Sequence, residues 1–530
     1  MNAPIMYRLL WCVLSGVPVV GLSIPCRAQQ TSSRVVLLVD DHDVLYRSGT
    51  RRVLNRPKRC AMNPVVKPTK PWEVAIAWSS VYRDKDTGRY QLWYQAYAGN
   101  AASDKTRNCV VCYAESNDGV HFIKPNLRLF DFNGIKETNI VLVGNGGYST
   151  RYANSVVYDP RDPDASRRYK MGYYDFGIEA GQEGPGLFIA FSPDGIHWKK
   201  QNRSPLLRTS YGQQGEQIPM SGERGRPWAA PLSMSDAVDI FYDPVRRLFV
   251  YYGKMWIDGP EGGMYYKHAM GRTESRDFIH WSRPRLICAP DDLDEGYVEF
   301  HTSPVFYYEG VYFCLNQILN RGIGGGVIDI ELMLSRDGMN WRRPFRRAFG
   351  QPYFIERSEG NHFDSGSIFT NATPVILDDE IRFYYGGYSQ GATSADDTKQ
   401  VSGVGMAWIS RDRFAGVASA SQSKGGTLRE AVKDAGQVTM KPIDLSGIAG
   451  LTLNADASQG EIRVELLNRD GKRMPGFTRE DAISLHGDSL RHRVQWKEHG
   501  VRDLPAGEYL VRVYLHRAML YSVTFEFANR

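Results

Sequence analysis

A short motif, S-x-D-G-x-x-W in its clearest form, recurs five times along the 530-residue chain. The best copy, "SPDGIHW", spans residues 192–198, and the others begin at residues 116, 275, 335 and 410. Intervals of 60 to 83 residues between copies indicate stacked supersecondary units. Asp and Gly suit a tight turn, and the Trp or Phe that follows suits packing between neighbouring units. The motif, with the histidines inside it, therefore predicts architecture and not chemistry.

Each copy closes a strand-like run such as "VVCYAES" or "LFIAFS", and two further runs with polar turns precede it. Four antiparallel strands repeated five times predict an all-β fold, a five-bladed β-propeller over residues 34–420. Residues 435–530 alternate differently and predict a C-terminal β-sandwich, joined by a linker at 421–434. The N-terminal stretch "SRVVLLVDDHDVLYRSG" either completes the last blade or crosses the propeller face.

Residues 1–28 read as a secretory signal, with one early charge, a short apolar run and small residues before Gln29. We therefore expect a secreted or periplasmic protein cleaved near Ala28. No later stretch is long and apolar enough to span a membrane. Of seven cysteines, five remain after cleavage, and this sparse, odd number favours buried thiols over a disulfide scaffold.

The distribution of charge along the chain indicates which classes of partner to expect. The net charge is +6, spread over 65 basic and 59 acidic residues without a long run of either sign. A nucleic-acid partner requires basic residues clustered on one face, so this class is not expected.

Chemistry is expected where the first strands of the units converge on the propeller axis. The polar residues just upstream of each first turn come from all five units and from the N-terminal "VDDHDV". Carboxylates with His, Arg and Trp around one pocket are what glycosidic bond cleavage requires. The candidate catalytic acids are Asp236 and Glu299 as a pair, with Asp41, Glu73 and Asp364 as orienting or alternative acids. The candidate substrate-binding residues are Arg151, Asn154, Asp239, His301, His42, His362 and Trp72.

On these units and turns, with "RDKDTGRYQLWYQA" and "DPDASRRYKM", the chain resembles secreted bacterial five-bladed propeller glycoside hydrolases related to families 32 and 43. The resemblance covers about residues 34–420. It implies three acidic catalytic residues and an appended β-sandwich. The family 32 motif W-M-N-D-P-N-G is absent, and Asp162 of the R-D-P triplet follows the strand that it should open.

The sequence thus predicts a secreted glycoside hydrolase acting on a poly- or oligosaccharide. The alternative is a non-catalytic carbohydrate-binding propeller with an accessory sandwich, and a sialidase ranks last because only Arg151 is placed to grip a carboxylate. No cofactor is expected to be required, although related propellers make a Ca²⁺ ion at the axis an option. Two carboxyl groups roughly 5–10 Å apart in an open pocket would favour hydrolysis.

Overall fold

A computed structural model of the chain describes residues 32–146, 154–179, 182–207, 234, 236–257, 267–392, 401–421 and 433–528. These residues form β-strands and short 3₁₀ turns and contain no α-helix, which confirms the all-β prediction. None of the helical turns they form is long and apolar enough to cross a membrane. The predicted signal at 1–28, Arg151 and most of the predicted linker lie outside the described residues.

The chain starts with four strands that belong to later sheets. They are β1 (Ser32–Leu37), β2 (Val44–Ser48), β3 (Thr50–Leu54) and β4 (Lys58–Arg59).

Three sheets of four antiparallel strands follow within the described part of the chain, each laid down in chain order. The first holds β5 (Ala75–Arg83), β6 (Tyr90–Tyr97), β7 (Cys109–Ser116) and β8 (Ile140–Val143). The second holds β9 (Asn154–Tyr158), β10 (Tyr169–Glu179), β11 (Gln182–Ser192) and β12 (Lys199–Lys200). The third holds β13 (Ile240–Asp243), β14 (Leu248–Ile257), β15 (Lys267–Ser275) and β16 (Arg285–Cys288).

The fourth and fifth repeats merge into one larger sheet, because β20 and β22 pair in parallel at Ile328 and Ser367. The fourth repeat comprises β17 (Val298–Phe300), β18 (Val305–Tyr308), β19 (Val311–Asn320), β20 (Val327–Ser335) and β21 (Trp341–Arg342). The fifth comprises β22 (Ser367–Phe369), β23 (Val375–Ile376), β24 (Glu380–Tyr388) and β25 (Ser402–Ser410). Its outer edge is completed by β4 from the N-terminal side of the chain.

The last strands build a separate ten-stranded sheet with the chain's first ones. Its later members are β26 (Ala415–Ser419), β27 (Ala435–Met440), β28 (Ile443–Asp444), β29 (Ile448–Asn468), β30 (Leu485–Arg493), β31 (Glu508–His516) and β32 (Met519–Phe527). Strand β1 pairs with β32, β2 with β27 and β3 with β26. Residues 32–54 therefore join the C-terminal sheet and do not complete the fifth repeat, which β4 does instead.

The repeated motif forms the predicted turn at the end of the third strand of its unit. In the second unit, Ser192 Oγ accepts hydrogen bonds from the backbone N–H groups of Asp194 and Gly195. Asp194 Oδ1 in turn accepts from the N–H groups of Ile196 and His197. Gly195 has φ +79°, where a side chain would be strained. The first and fourth copies repeat this pattern of bonds. The third copy, which has Phe278 in place of the glycine, repeats the bonds that Asp277 and Ser275 accept from Ile279, His280 and Asp277.

The turns also tie each unit to the one before it. The carbonyl of Gly195 accepts from the indole of Trp93 in the first unit at 2.6 Å. The carbonyl of Gly338 accepts from Tyr252 in the third unit, and that of Gly119 accepts from Tyr384 in the fifth. The last contact links the fifth repeat to the first, so the sheets form a nearly closed, propeller-like ring.

Candidate active site

Four of the predicted residues lie at the starts of the inner strands of the third and fourth repeats. Asp236 and Asp239 precede β13, whereas Glu299 lies on β17 and His301 follows it. All four are buried. His301 interacts electrostatically with Asp236 and with His268, and His268 contacts Glu299. Asp239 accepts a hydrogen bond at 3.3 Å from the hydroxyl of Thr302, the residue after His301. We refer to these residues together as the His301 cluster.

His301 also joins residues from other parts of the ring. Its Nδ1 lies 2.8 Å from Gln317 Oε1 on β19. Its ring centroid lies 6.0 Å from Trp78 on β5 and 5.6 Å from Phe369 on β22. Trp78 and Phe369 stack on each other at 4.6 Å. Together with Asp236 of the third repeat, these contacts from the first, fourth and fifth repeats place His301 near the centre of the ring.

Glu299 is an ionised carboxylate with two cation-capable partners. Its Oε2 lies 2.5 Å from His268 Nδ1 and accepts from the His268 backbone N–H at 3.1 Å, and its Oε1 accepts from Arg321. Burial alone would raise its pKa, but the His268 contact and the Arg321 charge hold the pKa of Glu299 at about 2. Glu299 therefore carries its negative charge throughout the ordinary pH range.

His268 is held in a neutral state by its surroundings. It lies on β15 directly opposite Trp256 on β14, and the two ring centroids are 3.7 Å apart. Burial lowers the pKa of His268 to about 4, well below the ordinary value of 6.5. Its Nε2 has no hydrogen-bond partner among the described residues, although the side chain is 2% exposed. A buried imidazole nitrogen of this kind can receive a ligand hydroxyl or a water molecule.

The two aspartates differ in their surroundings. Asp236 forms a buried ion pair with Lys254 on β14. Asp239 is buried, with 3% exposed, and accepts one weak hydrogen bond from Thr302. Burial raises the pKa of Asp239 well above the ordinary value. Burial without a charged partner favours the neutral form of Asp239, whereas Glu299 is held in its ionised form.

A second group of buried polar side chains near the inner ends of the first two sheets lacks partners. Both side-chain polar atoms of Gln95 and of Asn154, and the hydroxyl of Tyr173, have no hydrogen-bond partner in the described part of the chain. Asn154 and Tyr173 are cross-strand neighbours on β9 and β10. Each unmet buried group costs about 1–3 kcal/mol, so this arrangement is expected where a ligand or water completes the bonds.

Glu73 and Trp72 lie in a different environment. Glu73 is fully buried and accepts from Lys124 at 2.7 Å, from Tyr94 at 2.6 Å and from the backbone N–H of Thr69 at 2.7 Å. Trp72 is buried and donates to Asn139. Both side chains are fully engaged in packing the first sheet, and the structure does not bring them to the His301 cluster.

Asp364 and His362 lie on the segment before β22. Asp364 Oδ2 accepts from Arg59 at 3.1 Å and from Tyr385 at 3.0 Å, and His362 is exposed. Asp364 is buried, and its Oδ1 has no hydrogen-bond partner among the described residues. These contacts hold Asp364 against the outer edge of the fifth repeat.

Asp41 and His42 lie on the turn between β1 and β2, which belongs to the C-terminal sheet. Asp41 is half-exposed and pairs with Arg47 and Arg52, which lower its pKa against the effect of burial. His42 is exposed. The neighbouring Asp40 pairs with Arg336, inside the fourth repeat's turn motif. The structure therefore places this turn beside that motif and not in the His301 cluster.

Sequence reasoning missed Lys254, His268 and Arg321. They lie on or just after the second and third strands of their repeats, whereas the repeat pattern points to residues before the first strands. The signal was available in part, since a lysine and a histidine interrupt the apolar runs "YYGKMW" and "KHAMG".

The cluster fits a Ca²⁺ ion poorly. Asp236 already forms an ion pair with Lys254. The environment of Asp239 favours its neutral form, which binds cations weakly. No group of three or more His, Cys, Asp or Glu side chains in the described ranges is arranged to hold a metal.

No family model and no curated protein matches this chain. Among solved structures, an N-acetylgalactosamine deacetylase from F. plautii, in complex with blood group B trisaccharide, is 17% identical, covering 69% of this chain and 97% of its own, at TM-score 0.43. A structure from the GH130 family of mannoside phosphorylases, which contains glycoside hydrolases that target β-1,2 mannosidic linkages in Candida mannan, is 15% identical, covering 68% and 95%, at TM-score 0.44. The Bombyx mori GH32 β-fructofuranosidase is 10% identical, covering 90% and 95%, at TM-score 0.38. At such low identities and TM-scores, the function of this chain has to be inferred from its own residues.

Proposed function

We propose that the protein is a secreted glycoside hydrolase that cleaves a poly- or oligosaccharide at the centre of a five-bladed β-propeller. The propeller would begin near β4 and end near β25. The strands of residues 32–54, 415–419 and 435–527 would form an accessory β-sandwich. The N-terminal signal read from the sequence supports export.

The observation that carries this proposal is the contrast between Asp239 and Glu299. One carboxyl group is buried without a charged partner and has a raised pKa, while the other is held ionised by His268 and Arg321. Two carboxyl groups whose environments push their pKa values apart are the arrangement that acid–base cleavage of a glycosidic bond requires.

In the mechanism that follows, Asp239 protonates the leaving glycosidic oxygen, and the C–O bond breaks as positive charge develops on the sugar. Glu299 stabilises that charge and either attacks the anomeric carbon or takes a proton from the attacking water. Neutral His268 and cationic Arg321 hold Glu299 in position. Gln95, Asn154 and Tyr173 offer the unmet donors and acceptors that sugar hydroxyls complete.

The sequence predicted Asp236 as the catalytic partner of Glu299. Its ion pair with Lys254 favours a supporting role, in which Lys254 and Asp236 set the electrostatic field around His301. The two assignments differ in which aspartate is needed for protonation, and mutation of each separates them.

One observation favours the second candidate, a non-catalytic carbohydrate-binding propeller. Glu73, Asp236, Glu299 and Asp364 all contact cationic side chains, as expected of structural acids. Asp239 has no cationic partner among the described residues, and this difference favours hydrolysis.

Reducing-end release from a broad glycan panel by the protein starting at Gln29 tests the proposal. We expect Asp239→Asn and Glu299→Gln each to lower kcat by more than about a thousandfold with the fold intact. Asp243→Asn is the matched control, because Asp243 is equally buried but accepts from Tyr312 in a turn outside the cluster. Full activity in Asp239→Asn with loss in Asp236→Asn would return the acid role to Asp236. Glycan binding without release of sugar by the wild-type protein would favour the second candidate.

A further inference from the structure

A cleft of about 800 Å³ lies beside β17, which carries Glu299, and the end of β19, which Arg321 follows. Val298 and Asn320 line it, and each is the immediate neighbour of one of those two residues. Since successive side chains on a strand point to opposite faces, Glu299 faces the His301 cluster while Val298 faces the cleft. The remaining walls come from the segment before β17, from β20 with the turn before it, and from the segment between the fourth and fifth repeats.

Charged side chains make up about half of the residues that line the cleft. Arg343 contacts Asp294 and Glu331, Arg346 contacts Asp291, Arg347 contacts Glu356 and Arg357 contacts Asp329. Each of the four arginines that line the cleft therefore already has a carboxylate partner. Six carboxylates line the same space, so the cleft has more acidic than basic groups. An anionic ligand would meet no unpaired guanidinium there and would be repelled.

Apolar side chains are exposed around this polar cleft. Leu293 and Ile323 line it and are 55% and 49% exposed. Tyr297 is 70% exposed, and its carbonyl accepts from the backbone N–H of Arg321 at 3.1 Å. Its ring lies against Gly322, the residue before Ile323, because a Cβ on Gly322 would lie 3.1 Å from Tyr297 Cδ2. Phe349 is 56% exposed and follows the lining residue Ala348. An aromatic ring face beside a wall of hydrogen-bonding groups suits the apolar face and the hydroxyls of a sugar ring.

One polar atom in the wall lacks a partner. Arg346 is 8% exposed and gives both terminal nitrogens to Asp291 at 2.6 and 2.8 Å. Its Nε has no hydrogen-bond partner in the described part of the chain. An unmet buried guanidinium N–H is costly, and a ligand hydroxyl in the cleft would accept from it.

We propose that this cleft is a subsite for uncharged sugar residues of an oligosaccharide whose cleaved bond lies at the His301 cluster. This inference rests on the proposed function and narrows its substrate to neutral chains long enough to reach past β17. Tyr297 stacks on a sugar ring at the rim, and Arg346 Nε donates to a sugar hydroxyl inside. Uronic-acid and sulfated chains are disfavoured by the surplus of carboxylates.

Binding measured by calorimetry, independently of hydrolysis, tests the subsite. The probes are neutral gluco-, manno-, xylo- and fructo-oligosaccharides of two to six units and galacturonate oligomers of the same lengths. We expect affinity to rise with the length of at least one neutral series and not with that of the galacturonate series. Tyr297→Ala should weaken binding of the longest neutral probe about tenfold while leaving the shortest unchanged.

Two conservative changes keep the test specific. Tyr297→Phe retains the ring and should bind as the wild type does. Arg346→Lys retains the charge opposite Asp291 but removes Nε, so it should weaken binding of the longest neutral probe several-fold. Arg336→Lys, the same change at the Asp40 pair outside the cleft, is its control.

The outcomes separate this inference from the proposed function. Glu299→Gln could lose sugar release while Tyr297→Ala and Arg346→Lys bind probes of every length as the wild type does. That result would overturn the subsite and keep the proposal that the protein is a hydrolase. A length dependence that Tyr297→Ala abolishes, in a protein that releases no sugar, would keep the subsite and overturn the hydrolase. Tighter binding of the galacturonate series, or no binding of any neutral probe, would also overturn the subsite.

Discussion

His268 Nδ1 lies 2.5 Å from Glu299 Oε2, and both side chains are buried. The contact joins a neutral imidazole to an ionised carboxylate, because burial lowers the pKa of His268 to about 4 and the pKa of Glu299 is held at about 2. Both groups thus take up protons more readily in the unfolded chain than in the folded protein. This difference links the stability of the protein to pH.

The first prediction is a loss of stability on acidification. Below pH 6.5 the unfolded chain protonates His268, whereas the folded protein resists until about pH 4, so the free energy of unfolding falls across this window. Below about pH 4.5 Glu299 adds a further loss, which extends towards pH 2. Urea unfolding at pH 7, 5.5 and 4.5 should show His268 contributing on the order of 1–3 kcal/mol to the decline. His268→Gln should flatten the dependence, and His42→Gln, at an exposed site, should not; equal slopes in all three proteins would contradict the assignment.

The second prediction concerns the pH profile of activity. Arg321 contacts Glu299 Oε1 and lowers the pKa of that carboxyl group. Arg321→Gln removes this charge, so the pKa of Glu299 rises and the acidic limb of kcat/KM moves to higher pH by roughly one unit. Arg321→Lys should restore most of the wild-type profile, and Arg336→Gln should leave it in place. If the acidic limb of kcat/KM stays at the same pH in Arg321→Gln, Glu299 does not control that limb.

The third prediction tests the turns that close the ring. A Cβ on Gly195 would lie 2.5 Å from Trp93 Cζ2, in a backbone conformation with φ +79°. Gly134 has a similar φ of +86° but open space around it. Gly134→Ala should therefore cost only backbone strain, about 1 kcal/mol, while Gly195→Ala should cost roughly 2–4 kcal/mol because the indole must also move. Denaturant unfolding measures both, and equal losses would mean that the contact between the first two units adds nothing to stability.

The turn motif was predictable because its bonds are local. Ser192, Asp194 and Gly195 lie within four residues of one another, and the side chains fold onto their own backbone in the same way wherever the motif occurs. The positions of Asp236, Asp239, Glu299 and His301 followed from the same regularity, since the repeat fixes where each inner strand begins.

The features that the sequence did not predict depend on pairings between distant parts of the chain. Asp41 was a candidate axial acid because it lies in the acidic N-terminal stretch "VDDHDV", yet the strand before it pairs with β32, almost 500 residues away. Nothing in the alternation of residues 32–37 distinguishes one open sheet edge from another. Likewise, His268 reaches Glu299 only because the third strand of one unit packs against the inner strand of the next, a register that composition and spacing do not encode.

The fourth prediction separates binding from packing at Gln95. Both polar atoms of its side chain are buried without a hydrogen-bond partner among the described residues, so replacing them with an apolar group of similar size removes an unmet cost. Gln95→Leu should therefore leave the melting temperature unchanged or raise it slightly. If the amide bonds a sugar hydroxyl in the substrate complex, the same variant should lower kcat/KM at least tenfold. Thermal unfolding and kinetics on one preparation measure the two effects together. Gln317→Leu is the contrasting case, because Gln317 bonds His301 and Thr370, so its loss should lower stability as well. A Gln95→Leu protein that is destabilised but fully active would show that the amide serves the fold and that the hydroxyls of the substrate are bound elsewhere.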